Sequence, residues 1–102
     1  MKLFLKDETI SINGLHFEII QAIIATMEAF RMQGLQRIVI TSALDGEHSA
    51  GSLHPYGKAI DVRSRTIPDV FKARDDIQKE LGNDFDVVME IDHLHIEYDP
   101  TF

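Results

Sequence analysis

Five residues between Ser52 and Asp61 follow the spacing S-x-H-x-x-G-x-A-x-D, and their types suit a metal site. His54 and Asp61 offer a nitrogen and an oxygen ligand of the kind that zinc binds, and a catalytic zinc needs three protein ligands and one open position. Gly57 permits a tight reversal of the backbone, so that a loop carrying His54 folds back beside a strand carrying Asp61. The spacing therefore predicts two of three zinc ligands and requires a third from elsewhere.

Three more residues in and around this motif have supporting roles. Ala59 lies two residues before Asp61, so on a strand the two share one face, and its methyl group leaves room for a metal and a substrate. Ser52 is a candidate to orient His54 by a hydrogen bond. His48 lies in the same loop, where it is either a substrate contact or a solvated surface histidine.

The stretch EIDHLHIE at residues 90–97 contains the remaining candidates. His93, His95 and Glu97 recur at every second residue, which places them on one face of an extended segment. Either histidine is a suitable third zinc ligand. Asp92 has the opposite parity and approaches the metal only if the chain bends between Asp92 and His95, which predicts a hairpin corner there.

The two motifs together resemble those of the zinc peptidases that cut D-alanyl-D-alanine or L-alanyl-D-glutamate bonds in bacterial peptidoglycan. The resemblance rests on all five fixed positions of the first motif and on a later D-x-x-H inside D-H-x-H-x-E. It implies that His54, Asp61 and His95 hold a zinc ion. It also implies that Asp92 is the general base and that His93 donates a hydrogen bond to the developing oxyanion. The short chain is similar to phage members of the family.

One feature departs from the family pattern. Many members have an arginine shortly after the strand that precedes the first motif, where it stabilises the oxyanion, whereas this chain reads TSALD at residues 41–45. His93, or failing that Arg37, then takes this role. Glu90 is a second candidate for the general base because it has the same strand parity as Asp92. Glu97 is either a hydrogen-bond partner of a ligand histidine or a surface acid.

Two functions are compatible with the resemblance. The first is a zinc-dependent peptidase, phage or prophage derived, that hydrolyses stem peptides as an L-alanyl-D-glutamate endopeptidase or a D-alanyl-D-alanine carboxypeptidase. The second is a non-catalytic zinc-binding module, because the hedgehog signalling domain has the same zinc arrangement and is not a peptidase. The spare acid at Asp92 favours the enzyme, since a structural zinc site does not need one. The sequence does not determine which bond is cut.

Composition limits the possible partners. A chain of 102 residues with 44% hydrophobic content is large enough for one compact domain, residues 1–102, with a single core. The net charge of -7 and the scattered basic residues argue against nucleic-acid binding, which needs clustered Lys and Arg. The absence of cysteine excludes disulfides and thiolate zinc sites, so His and carboxylate ligands remain. The oligomeric state is not determined by the sequence.

The N-terminal residues do not resemble a targeting segment. The apolar run at residues 3–5 is too short for a signal-peptide core and is followed by Lys6, and no run is long enough to cross a membrane. We therefore expect synthesis in the cytoplasm without membrane insertion. Access to the cell wall would then follow holin-type release or delivery from a virion.

Apolar periodicity predicts the first half of the fold. Residues 2–12 are either a short edge strand or an ordered arm. From Leu15 to Met32 apolar residues recur at helical spacing, with Asn13 as a plausible cap and Gly34 as terminator. The apolar face of this helix is expected at Phe17, Ile20, Ile24 and Met27, flanked by Ile19, Ile23 and Phe30. A short β-branched strand follows at residues 36–42, and then a long polar loop that continues through Ser52.

The second half is predicted to contain three strands and a helix. Residues 58–63 alternate as a strand, and Thr66 to Asp69 opens a helix that ends before Gly82. Residues 85–91 and 94–98 are read as two strands with a tight connection. The element order predicts an α+β domain with an antiparallel sheet, helices packed on one face and the zinc site on the other, as in hedgehog and D-Ala-D-Ala peptidase-like folds.

Overall fold

Five strands and two helices build the part of the chain that the structure, a computed structural model, describes, residues 1–43 and 57–100. The elements are β1 (Lys2–Leu5), α1 (Phe17–Met32), β2 (Arg37–Ser42), β3 (Ala59–Arg63), α2 (Val70–Leu81), β4 (Phe85–Met89) and β5 (His93–Tyr98). The predicted order of helices and strands from α1 onward is confirmed. The ambiguous N-terminal segment forms a strand at its start.

All strands belong to one sheet with the order β1-β2-β3-β5-β4. β1 runs parallel to β2, whereas the pairs β2–β3, β3–β5 and β4–β5 are antiparallel. The sheet is therefore mixed, and the prediction of an antiparallel sheet is wrong for its edge. The reason is that α1 connects β1 to β2 as a crossover, which returns the chain to the same end of the sheet.

Both helices pack on one face of this sheet, as predicted. Alternate residues of the central strands are fully buried in a core shared with both helices, among them Ile38, Ile40, Ile60, Val62, Leu94 and Ile96. Because side chains alternate along a strand, the residues between them lie on the opposite face. That opposite face carries Asp61, His93 and His95.

The buried face of α1 differs from the predicted one. Phe17 and Ile24 are 70% and 62% exposed and Ile20 is exposed as well, whereas the residues predicted to flank the face are buried together with two alanines: Ile19, Ile23, Phe30, Ala22 and Ala29. The helix is apolar on more than one side, and the alanine side permits closer packing against α2 and the sheet. None of the helices in the described ranges is long and apolar enough to cross a membrane.

The helix ends also refine the predictions. The N-cap of α1 is His16, not Asn13, and it makes no side-chain cap hydrogen bond. At the other end, Gly34 has a φ of +83° and donates to Arg31 O, while Leu35 donates to Phe30 O, so Gly34 terminates α1 as predicted.

The second helix begins at Val70, four residues after Thr66. Asp69 is its N-cap, and its side chain accepts a hydrogen bond from Lys72 N at 3.0 Å. α2 also covers the open edge of β4, where Gln78 and Arg74 bind the backbone of Val87. These bonds satisfy edge groups that would otherwise pair with another chain.

The N-terminal segment contacts the chain where β3 is about to begin. His16 N donates to Gly57 O at 2.9 Å, and Gly57 is buried with a φ of +73°. A Cβ atom at Gly57 would lie 2.4 Å from Gly14 O. Gly57 therefore permits both a left-handed backbone and close contact with the N-terminal segment.

We expect Gly57→Ala to lower the free energy of unfolding by about 2–4 kcal/mol, because left-handed strain adds to the clash with Gly14 O. Gly34→Ala is the matched control: φ is also positive, but no atom lies within 4 Å of the added Cβ. Gly34→Ala should lower the free energy of unfolding by only about 1 kcal/mol. Urea unfolding of both variants measures the difference, and equal losses would show that the contact with Gly14 is unimportant.

Candidate active site

Pairing between β3 and β5 brings the two predicted motifs together. In this antiparallel register Asp61 lies opposite His95, and Arg63 lies opposite His93. Ala59 faces Glu97 in the same way, which leaves a small side chain beside the acid. Residues 34 positions apart in the sequence are thus neighbours on the face of the sheet away from the helices.

Acids and histidines alternate in a chain of contacts along this face. His95 Nδ1 lies 2.8 Å from Asp61 Oδ1, and His95 Nε2 lies 2.7 Å from Glu97 Oε1. The other oxygen of Asp61 lies 3.7 Å from His93 Nε2, and His93 Nδ1 lies 2.7 Å from Asp92 Oδ1. Asp61 is therefore the centre of the cluster, because its two oxygens contact different histidines.

Exposure increases from the centre of this cluster to its rim. The side chains of Asp61 and His95 are 16% and 19% exposed, and Glu97 is similar at 22%. His93 is 29% exposed, whereas Asp92 is 77% exposed. The inner pair is suited to hold an ion away from bulk water, and Asp92 is accessible to a molecule bound on the surface.

The protonation of His95 follows from its two partners. A neutral imidazole donates from one nitrogen only, so two facing carboxylates favour the protonated ring, which donates to both. The hydrogen bond to Asp61 is the largest cause, and with the bond to Glu97 it outweighs burial and raises the pKa of His95 to about 9. The metal-free site therefore holds a proton between Asp61 and His95 at neutral pH.

The predicted hairpin corner is present at Ile91 and Asp92, directly before β5 begins at His93. The corner is closed by Glu90 N donating to His93 O at 2.9 Å, and it is tied to the end of β3 by Ser64 N donating to Asp92 O at 3.1 Å. This turn brings the Asp92 side chain onto His93 despite its opposite parity.

The hydrogen bond from His93 holds the pKa of Asp92 below its ordinary value. Asp92 is therefore ionised at neutral pH, which is the form that a general base requires. Glu90, the second candidate, is exposed and has no side-chain contact with the cluster within the described ranges.

The donor types of Asp61 and His95 fit zinc. Two donors on a tetrahedral zinc, each at about 2.0–2.1 Å, lie roughly 3.3 Å apart, so the pair must open from its hydrogen-bonded 2.8 Å by about half an ångström to share an ion. The third predicted ligand, His54, lies outside the described residues, as do Ser52 and His48. The structure thus brings together the two predicted ligands that it describes.

A second group of acids lies near the start of β4 and the end of β5. The ligand atoms of Asp86, Glu97 and Asp99 lie within 4.8 Å of one another, and no other set of three in the described part of the chain meets this distance. All of its donors are oxygens, a set that suits hard cations better than zinc. Sequence reasoning missed this grouping, although the parity of Glu97 and Asp99 hinted at it.

Sequence reasoning also missed Arg63. It follows Asp61 by two residues on β3, so it lies on the same face, and it is partly buried opposite His93. The available signal in the sequence was the spacing of two residues between Asp61 and Arg63, which places both side chains on one face of a strand. Arg37, which was considered as a substitute for the missing arginine, lies at the start of β2 and is exposed.

Comparison with known proteins identifies no relative. No family model matches the chain, and no curated protein or solved structure is significantly similar to it. Function is therefore inferred from the motif spacing and from the geometry around Asp61.

We expect His95 in the metal-free protein to titrate near pH 9, and Asp61→Asn to lower this pKa towards 6.5 because the strongest partner is removed. Because the pKa is raised on folding, protonated His95 stabilises the metal-free fold fully below pH 6.5, and this contribution is lost as the pH rises through about 9. NMR titration of the histidine ring signals measures both proteins. An ordinary pKa for His95 in the parent would contradict the two-carboxylate arrangement.

Proposed function

We propose that this chain is a zinc-dependent peptidase that hydrolyses peptide bonds in peptidoglycan stem peptides. The observation that carries the proposal is the Asp61–His95 contact across β3 and β5, with Asp92 at the exposed rim of the same cluster. These three residues belong to two separate motifs whose spacing resembles that of peptidoglycan peptidases. Chance alone does not explain why residues from both motifs meet in one cluster.

The proposed zinc ligands are His54, Asp61 and His95. The charges of the described residues support a cation here: three carboxylates contact two histidines, so the cluster is negative whether or not the histidines are protonated. Zinc, when bound, supplies a Lewis acid that polarises the scissile carbonyl and lowers the pKa of water.

Glu97 has a positioning role towards His95. Nδ1 of His95 faces Asp61, so it is the nitrogen that can share an ion with that carboxylate. Nε2 then carries the proton and donates it to Glu97 Oε1 at 2.7 Å. A carboxylate on the far nitrogen fixes the ring orientation and the tautomer of a ligand histidine, and it increases the basicity of the ligand nitrogen.

Asp92 and His93 are proposed to act on the substrate. Asp92 accepts the proton of the attacking water and transfers it to the leaving amine, a role that its exposure and ionised state permit. His93 lies between Asp92 and Asp61: its Nδ1 is hydrogen-bonded to Asp92, and its Nε2, 3.7 Å from Asp61 Oδ2, is the nitrogen that would donate to the oxyanion when protonated.

Two bond types suit the resemblance, L-alanyl-D-glutamate for an endopeptidase and D-alanyl-D-alanine for a carboxypeptidase. A phage or prophage origin, with access to the wall after holin-type release or from a virion, is part of the same proposal. Mass analysis of the peptides released from purified peptidoglycan distinguishes the two bonds.

The second candidate function is a non-catalytic zinc-binding module. It is favoured by the sequence TSALD at residues 41–45, which lacks the arginine that many of the resembling peptidases use for the oxyanion. If zinc-loaded protein releases no stem peptide from peptidoglycan, the chain is a non-catalytic zinc-binding module.

We expect purified protein to contain close to one zinc per chain. His95→Ala removes a proposed ligand and should lose the metal, whereas His93→Ala should retain it and lose rate. Elemental analysis of the parent and both variants measures the zinc content. Metal loss in His93→Ala with retention in His95→Ala would mean that the ligand is the other histidine.

We expect Asp92→Asn to reduce peptidoglycan hydrolysis by about 100- to 10,000-fold, the usual contribution of positioned acid–base catalysis. Zinc content and stability should remain those of the parent, because Asp92 lies at the exposed rim. Glu90→Gln is the matched control, since it removes a neighbouring acid without contact to the cluster, and it should retain the parent rate. Loss of rate in Glu90→Gln alone would assign the base to Glu90.

A further inference from the structure

Three arginines surround a cavity beside the Asp61 cluster. A cavity of about 340 Å³ is lined by Arg37, Arg63 and Arg65 together with Lys6, Thr66 and the apolar side chains of Phe4, Leu5, Phe30 and Val39. Val39 and Arg37 alternate with the buried Ile38 and Ile40 on β2, so they lie on the face away from the helices. Arg37, Val39 and Arg63 therefore line the cavity from the side of the sheet that carries the proposed active site, whereas Phe30 of α1 lines it from the helix side.

These three arginines have no acidic partner in the described part of the chain. Arg31 and Arg74 illustrate the usual situation, since they pair with Glu28 and Asp75 respectively. The chain has 17 acidic residues and only 10 basic ones, so unpaired arginines are unexpected. Arginines without an acidic partner among the described residues are available to bind an anion from solution.

Arg63 connects this cavity to the proposed active site. It lies two residues beyond Asp61 on β3, a separation of about 7 Å between backbone positions, and it is directly opposite His93 on β5. This separation corresponds to about two residues of an extended peptide, a distance that the long Arg63 side chain can shorten by reaching towards the Asp61–His95 pair.

The charge changes sign from one end of this face to the other. The arginines lie near the end of β3, whereas Asp86, Glu97 and Asp99 group at the opposite end of the neighbouring strands. A peptide carboxylate would be repelled at the acidic end and attracted at the arginine end. The face therefore favours one orientation of a charged peptide.

We infer that Arg63, assisted by Arg37 and Arg65, binds a substrate carboxylate on the residue that leaves as the amine. The choice of substrate rests on the proposed function: D-alanyl-D-alanine and L-alanyl-D-glutamate both have a free carboxylate on their second residue. A guanidinium group binds a carboxylate through two parallel hydrogen bonds, a geometry that lysine cannot reproduce. The apolar side chains of Phe4 and Val39 reduce the competition from water at this position.

The test compares each dipeptide with the matched compound in which that carboxylate is an amide. Binding to the whole chain is followed by NMR chemical shifts, with and without added zinc. For at least one dipeptide the acid should bind about 10-fold or more tightly than its amide, as expected for a charge-assisted contact. Equal binding of acid and amide for both dipeptides, or no saturable binding of either acid, would overturn the inference.

Variants assign the preference to the arginines. Arg63→Gln should reduce the preference for the acid to near unity, and Arg63→Lys should retain only part of it. Arg31→Gln is the matched control, because it removes an arginine on α1 that is already paired with Glu28, and it should bind as the parent does. Unchanged spectra outside the site exclude misfolding, and a full acid preference in Arg63→Gln would refute the assignment.

The two proposals fail in different ways. If the peptidase function is wrong and the subsite is right, the acid is preferred through Arg63 but zinc-loaded protein releases no stem peptide. If the subsite is wrong and the function is right, peptidoglycan is cleaved and Arg63→Gln cleaves it at the parent rate.

Discussion

The pairing of β3 with β5 is the constraint on which the proposed active site depends. Asp61 and His95 are neighbours only because Ile60 and Val62 on one strand and Leu94 and Ile96 on the other are buried in the same core. Slipping the register by one residue would turn Asp61 towards the helices and expose an isoleucine or a valine. The free energy of hydrophobic burial therefore fixes the positions of the polar groups on the opposite face.

Electrostatics then determines what this face can bind. Carboxylates that are partly withdrawn from water need a compensating positive charge, and in the metal-free protein the proton on His95 supplies it. A divalent cation would supply more charge in the same place, and it competes with that proton for the lone pairs of Asp61 and His95. Asp61 contacts both histidines, so a change at this carboxylate affects the whole cluster.

Two features outside the cluster support its geometry. Contact between Gly57 and the N-terminal segment holds the chain where it enters β3. On the other side, Ser42 pairs with Asp61 whereas Ile40 pairs with Val62, so β2 has an extra residue opposite the site. A bulge of this kind changes the direction of neighbouring side chains, and bulges are frequent beside functional sites.

The sequence alone determined those features that depend on local spacing. Alternation placed His93, His95 and Glu97 on one face, the opposite parity of Asp92 predicted the hairpin corner, and Gly34 and Gly82 marked the helix ends. Only the tertiary structure decided which apolar side of α1 is buried, since Phe17 and Phe30 are both aromatic and only Phe30 lies in the core. The parallel edge strand, the opposition of Arg63 to His93 and the acidic group around Glu97 also required the fold. Each of these depends on strands that are distant in the chain, and their register follows from the packing of the whole core and not from any local pattern.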